Sequence, residues 1–176
     1  GDVRAGDSLR KGIASLTTAI QEVRRISRDL RPGALDDLGL GPALKTLTDE
    51  FGSRTGIIAE LETVVFRNRL DDEAKIALYR IAQEALTHIE RHANATEVHI
   101  RLYGHRNGAT LRIQDNGGGF SHDTAASGLG LRNMQERVEQ LGGTLRIMST
   151  NNGTSIEAEV PLTHLLRPND SHKESA

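Results

Sequence analysis

The stretch ATLRIQDNGGGFSHDTAASGLGL, residues 109–131, decides how the rest of the chain is read. It opens with an alternation: Ala109, Leu111 and Ile113 are apolar, while Thr110, Arg112 and Gln114 are polar. That is the period of a strand with one face on a core. Asp115 shares the parity of the apolar set, and a carboxylate at the inner end of a core strand is costly to bury unless a donor meets it. Asn116-Gly117-Gly118-Gly119 follows, and glycine, having no Cβ, lets the backbone come close to a planar ligand. Gly128-Leu129-Gly130-Leu131 then opens a helical pattern carried by Leu131, Met134, Val138 and Leu141. Bare N–H groups and a positive dipole end at such a start suit phosphate oxygens. Two ordinary turns around a polar loop would use the same glycines, since short glycine motifs recur by chance. The inward Asp115 and the helix behind the second pair favour a nucleotide pocket.

Working back along the chain, residues 71–93 read as one helix opened by Asp71, Asp72 and Glu73, acidic where its dipole favours acid. Ile76, Leu78, Ile81, Ala82, Ala85, Leu86 and Ile89 make it apolar around much of its circumference, so it belongs in the interior. Glu84, His88 and Arg91 nevertheless recur at i, i+4 and i+7 and share one stripe, with His92 beside it. A carboxylate, a second polar group and a cation in one line on a buried helix suit a polyphosphate and its metal. A solvated stripe with a Glu–Arg pair is the plainer alternative, and position alone does not separate the two.

Val98, Ile100 and Leu102 mark a strand before the turn 104–108, with His99 facing outward and given no role. Beyond the glycine region a helix is expected over 131–141, stopped by Gly142-Gly143, then strands 144–149 and 154–160 joined through Asn151-Asn152-Gly153. Upstream, a helix runs from Pro42 to about Phe51, and Ile57, Ile58 and Leu61 mark a short strand. The order of elements predicts an α+β fold, a two-layer α/β sandwich with helices on one face of a mixed sheet.

Residues 8–31 are of another kind. Leu9, Ile13, Leu16, Ile20, Val23 and Leu30 fall on heptad a and d positions, with Ser27 in the polar slot, and Pro32-Gly33 stops the run. That seam suits a coiled coil or helix hairpin, or else a plain amphipathic surface helix. The helix contains no histidine. The 176 residues, with 36% hydrophobic and 3% aromatic content, fit one soluble domain with an aliphatic core plus an extra element. A net charge of −2 gives no nucleic-acid footprint, and the absence of cysteine excludes disulfides and thiolate metal sites. No apolar run approaches the ~20 residues that cross a bilayer. Gly1 reads as a cloning remnant, and 163–176, ending SHKESA, as a disordered tail.

Several motifs in order resemble the catalytic region of two-component sensor histidine kinases, in the nitrate-sensor-like subgroup that pairs with LuxR-type response regulators. The likeness spans about 15–162. ISRDLRPGALDDLGLGPAL (26–44) resembles the joint between dimerisation helices and kinase domain, and YRIAQEALTHIERHANA (79–95) the N box. DNGGGF (115–120) and GLGLRNMQERVEQLGG (128–143) resemble the two glycine boxes, and NNGTSIEAEVPL (151–162) the closing hairpin. The resemblance implies a Bergerat (GHKL-type) ATP-binding fold, shared with gyrase B, MutL and the 90 kDa heat-shock chaperones, over 34–162. It implies that 1–33 is the second helix of the dimerisation hairpin, pairing two copies in the intact protein.

It further implies that Asp115 accepts from the adenine amino group, with Gly117 and Gly119 alongside the base and Thr154 near it. Gly128, Leu129 and Gly130 would offer backbone donors to the phosphates as a short lid, 121–127, closes. Arg91 and His92 would lie near the phosphates, and Glu84 would serve catalysis and hold or polarise a metal-bound water. ATP and Mg²⁺ are the implied ligands, and a LuxR-type regulator the implied partner. The expected location is the cytoplasm, without membrane contact by these residues; anchoring of the intact protein in the inner membrane is a family expectation.

Two departures stand out. The family places asparagine, a magnesium ligand, where His88 stands, and magnesium prefers oxygen to imidazole. The phosphoacceptor histidine is missing; His122-Asp123 imitates its dipeptide but falls in the expected lid, so the fragment begins after that histidine. Two accounts follow: a kinase domain that binds ATP and, in the intact protein, phosphorylates a histidine and thence a regulator, or a degenerate module of the same fold acting by docking. An anti-sigma serine kinase of this fold ranks last, because it predicts neither the heptad arm nor the joint.

Overall fold

The computed structural model describes residue 35 and residues 39–64, 70–119 and 129–162. The expected arm helix over 8–31, most of the joint, the lid 121–127, Gly128 and the tail lie outside the described residues.

Helix α1, Leu40–Thr55, begins after Gly39 and stops at Gly56, whose left-handed backbone lets its N–H donate to the Gly52 carbonyl at 2.9 Å. Leu40, Ala43, Leu44, Thr48 and Phe51 recur at helical spacing and are buried. The hydroxyl of buried Thr48 donates to the Leu44 carbonyl at 2.7 Å, so no polar atom is stranded there. Strand β1, Ile58–Val64, follows. Helix α2, Asp72–His88, is capped by Asp71, whose carboxylate accepts from the Ala74 N–H at 2.7 Å.

The helix expected over 71–93 is two structures. After His88 the chain widens into a π-helical turn, Ile89–Ala93, and leaves it through Asn94 at φ 50. Asparagine tolerates that left-handed conformation through local hydrogen bonding. Strands β2, Glu97–His105, and β3, Gly108–Asp115, form the first expected hairpin. Helix α3, Leu129–Gln140, is followed by the second hairpin, β4, Thr144–Thr150, and β5, Gly153–Pro161.

The five strands lie in the order β1-β2-β3-β5-β4, with β1 parallel to β2 and the other pairs antiparallel. A parallel pair needs a crossover, and the segment holding α2 supplies it. Register places Leu61, Ile100, Ile113, Ile156 and Ile147 in one row across the whole sheet. This row belongs to the apolar core shared with Leu44 and Phe51 of α1, Leu78, Ile81 and Ala85 of α2, and Met134 and Val138 of α3. The fold is therefore a mixed sheet with helices, an α+β sandwich, as the alternation predicts.

The opposite face of the sheet is charged. Glu62 meets Arg101 at 2.6 Å, Arg112 meets Glu157 at 3.0 Å, and Glu157 also meets Arg146 at 3.5 Å. Exposed pairs of this kind contribute about 0–1 kcal/mol each, against about 1.5–3 kcal/mol for burying one large aliphatic side chain. The apolar row holds the layers together; the ion pairs decorate them.

Candidate functional site

Asp115 ends β3 on the inward side, past Ile113, and is 5% exposed. Its Oδ1 accepts from the Gly117 N–H at 2.8 Å, so the chain turns back on its own carboxylate. The donor that burial demands is thus local, and a carboxylate accepts at several lone pairs. Next to it, Asn116 ties the loop to the start of β2. Its Oδ1 accepts from the N–H groups of Thr96 at 2.9 Å and Glu97 at 3.0 Å, and its Nδ2 donates to Thr96 Oγ1 at 2.9 Å. Sequence reasoning gave Asn116 no such part, because its partners lie some twenty residues upstream.

The glycines that follow differ from the expectation. A Cβ at Gly117 would drive into the carbonyl oxygen of Ala93, and one at Gly119, whose φ is +67, into that of Thr150. Their missing side chains therefore make room for protein backbone. Gly118 alone faces open space, while its N–H donates to the Ala93 carbonyl at 2.9 Å. The loop is anchored from two sides, by the π turn and by the β4–β5 hairpin. Thr154 on β5 is buried, with its hydroxyl 3.4 Å from that of Ser149.

The structure brings Glu84, His88, His92 and Asp115 into one neighbourhood. Burial, then the charge of His92, hold the His88 imidazole below the usual histidine range, while the Asp115 and Glu84 carboxylates act in the opposite direction. His88 is consequently neutral at pH 7. The rings of His88 and His92 have centroids 5.0 Å apart and planes inclined at 52°. Half-buried Glu84 reaches α3, where its Oε1 occupies the place of a Cβ on Gly130. The expected stripe of Glu84, His88 and Arg91 is interrupted: the π turn starts after His88, so the 3.6-residue period no longer carries to Arg91, which is exposed. Leu129 opens α3, and Gly128 lies outside the described residues.

Two implied ligands can be tested against these groups. Asp115, a buried acceptor at the mouth of an open glycine, together with the Thr154 hydroxyl, fits the amino edge of an adenine. Magnesium fits poorly: it seeks octahedral oxygen, and His88 presents imidazole beside a single carboxylate, Glu84. Among the described residues no group of three or more His, Asp or Glu side chains stands ready to hold a metal ion. None of the described helices is long and apolar enough to cross a membrane.

Comparisons with known proteins agree with the fold. The family model for histidine kinase-, DNA gyrase B-, and HSP90-like ATPases matches residues 73–164. The sensor histidine kinase MctS of Rhizobium johnstonii is 44% identical over 158 residues, covering 88% of this chain and 34% of that protein. The signal transduction histidine-protein kinase/phosphatase DegS of Brevibacillus brevis is 41% identical, covering 88% of this chain and 40% of its own length. The chain thus spans well under half of these relatives. Among solved structures, the blue-light activated histidine kinase of Erythrobacter litoralis superposes with a TM-score of 0.62 at 20% identity, over 71% of this chain and 42% of that one, a likeness of fold.

Proposed function

Since the chain belongs to the histidine kinase-, DNA gyrase B- and HSP90-like ATPase family, we propose that residues 34–162 are the ATP-binding catalytic domain of a sensor histidine kinase. In the intact protein it passes the γ-phosphoryl group of ATP to a histidine of a dimerisation hairpin, and thence to an aspartate of a LuxR-type response regulator. Residues 1–33 are the second helix of that hairpin and pair two copies.

The observation that carries this reading is Asp115, buried at 5% exposure and turned by Gly117 towards an anchored glycine loop. Its carboxylate accepts from the adenine amino group, and Thr154 lies on the same side. Gly117 and Gly119 shape the floor by packing on Ala93 and Thr150, leaving Gly118 open to the base. Leu129 and Gly130, at the start of α3, and Gly128 before them in the sequence offer N–H donors to phosphate, with Arg91 and His92 on the phosphate side. Glu84, half-buried and against Gly130, is the catalytic carboxylate. Catalysis in such a site is mostly positioning and charge stabilisation. Magnesium is poorly served here, because His88 offers imidazole where the ion prefers oxygen.

The test is calorimetric titration with ADP in the presence of chelator. Wild type binds, and Asp115→Asn weakens binding by about 10–100-fold, since it presents a donor to a donor and loses a charged hydrogen bond. Unchanged affinity in Asp115→Asn, or no binding by the wild type, sinks the nucleotide reading. His88 beside Glu84 favours a second reading, a degenerate domain that signals by docking, and the second of those outcomes selects it.

A further inference from the structure

Asp115 can read a base only if its carboxylate is held at one angle, and the hydrogen bonds around it settle that angle. Its Oδ1 accepts from the Gly117 N–H, so the rotation of the carboxylate follows the position of Gly117. Gly117 in turn stands between two anchored neighbours. Gly118 donates its N–H to the Ala93 carbonyl at 2.9 Å, and Asn116 donates its own to the Glu97 carbonyl at 3.3 Å. The Asn116 side chain adds a fork. Its Oδ1 accepts from the N–H groups of Thr96 and Glu97, and its Nδ2 donates to the Thr96 hydroxyl. On the other side, Gly153 at φ +127 lets β5 lie close against the Asp115 carbonyl, where a Cβ would collide with it. Two acceptor contacts and one donor contact from one short side chain are within the reach of a carboxamide and beyond that of a hydroxyl.

We infer that Asn116 is a positioning residue for base recognition. Through Thr96 and Glu97 it fixes the strand end from which Asp115 meets the adenine amino group. It thereby sets the preference for adenine over a base that lacks that group. The inference rests on the proposed ATP-binding reading. The polar atoms of the Asn116 side chain are engaged by Thr96 and Glu97, so it acts through Asp115 and not on the nucleotide. Holding a recognition group by the hydrogen bonds of its neighbours is what keeps it within the small tolerance that recognition needs.

The experiment uses the full chain and titrates ADP and IDP by calorimetry in the presence of chelator. Hypoxanthine carries a carbonyl where adenine carries its amino group, so the ratio of the two affinities reports on Asp115 alone. Wild type prefers ADP by about 10–100-fold, the scale of a charged hydrogen bond. Asn116→Ala lowers that preference about three- to tenfold, the range that one net hydrogen bond spans. Asn116→Asp keeps both acceptor contacts, and the Thr96 hydroxyl can turn to donate to its second oxygen, so the preference stays. The added charge weakens ADP and IDP alike and cancels from the ratio. Ile156→Val, which loosens the core without touching the fork, leaves the preference unchanged. Circular dichroism checks the fold of each variant. Should Asn116→Ala not fold, Thr96→Val, which removes only the hydroxyl partner, lowers the preference about twofold while Thr96→Ser keeps it. An unchanged ratio in folded Asn116→Ala overturns the inference and leaves the ATP reading standing. So does a loss in Asn116→Asp or Ile156→Val equal to that in Asn116→Ala, or Thr96→Val indistinguishable from Thr96→Ser. Equal affinity of wild type for ADP and IDP removes Asp115 as the reader and overturns it as well. No binding of either nucleotide by wild type overturns both readings together.

Discussion

Gly117 and Gly130 belong to two segments that look alike as sequence and are built differently. At Gly117 the space a side chain would take is filled by the Ala93 carbonyl, and at Gly119 by that of Thr150; at Gly130 it is filled by the tip of Glu84. Backbone held by a π turn and by a hairpin cannot step aside, whereas a glutamate can rotate away at little cost. The first segment is a fixed part of the fold, and the second rests on something adjustable. On the proposed nucleotide reading that division is apt: the base would sit against rigid backbone, while the end that would meet phosphate can shift.

A methyl group placed in each segment should separate the two most strongly. Gly117→Ala should cost about 2–3 kcal/mol, the upper range for overpacking a site that cannot relax, read from the urea midpoint. Gly130→Ala should cost less than about 1 kcal/mol once Glu84 swings out, as volume changes that neighbours can absorb do. Equal losses would show that the two segments are equally fixed. An effect between these two is expected one residue before Gly117. Asn116→Ala removes the acceptor of two backbone N–H groups and the donor to Thr96. It should cost about 1–2 kcal/mol, modest because the side chain is exposed and water replaces part of what is lost. A loss as large as that of Gly117→Ala would move the anchor of the loop from Ala93 to Asn116.

The smallest effect concerns α2, which carries Glu84. Burial, then the charge of Glu50, raises the pKa of the Tyr79 phenol, against smaller lowering by Arg80 and a hydrogen bond with Gln83. A raised pKa means the native state keeps the proton more tightly than the unfolded chain does. The contribution is present below pH 10 and is lost as pH rises through the native value. Tyr79→Phe should therefore flatten the alkaline arm of the stability–pH curve, beside a pH-independent loss for the hydrogen bond with Gln83. An alkaline arm that persists in Tyr79→Phe would assign it to other groups.

Much of this was legible in the chain itself. Alternation of Ala109, Leu111 and Ile113 placed β3, and the same parity put Asp115 inside. Asn151-Asn152-Gly153 gave the second hairpin. The π turn was not legible: 89–93 contains neither proline nor glycine, and its apolar spacing continues that of α2, so a regular helix was the natural reading and Arg91 was carried along with it. The neighbours of Gly117 and Gly119 were invisible for another reason. They are carbonyl oxygens, which every residue possesses, and only the folded register of Ala93 and Thr150 brings them there. The ring contact of His88 with His92 was likewise hidden, since it depends on two ring orientations.

The charged outer face of the sheet bears on how copies of this chain behave at high concentration. Among the described strands, β1 and β4 end the sheet, and a terminal strand is a template on which another chain could add. Ile58 and Val64 on β1 and Met148 on β4 are exposed and would welcome such an addition. Between them, however, β1 carries Glu60 and Glu62, and β4 carries Arg146, at positions where an incoming strand would have to strip water from charge. The same side chains that contribute so little to holding the fold together thus guard it against growing into an aggregate.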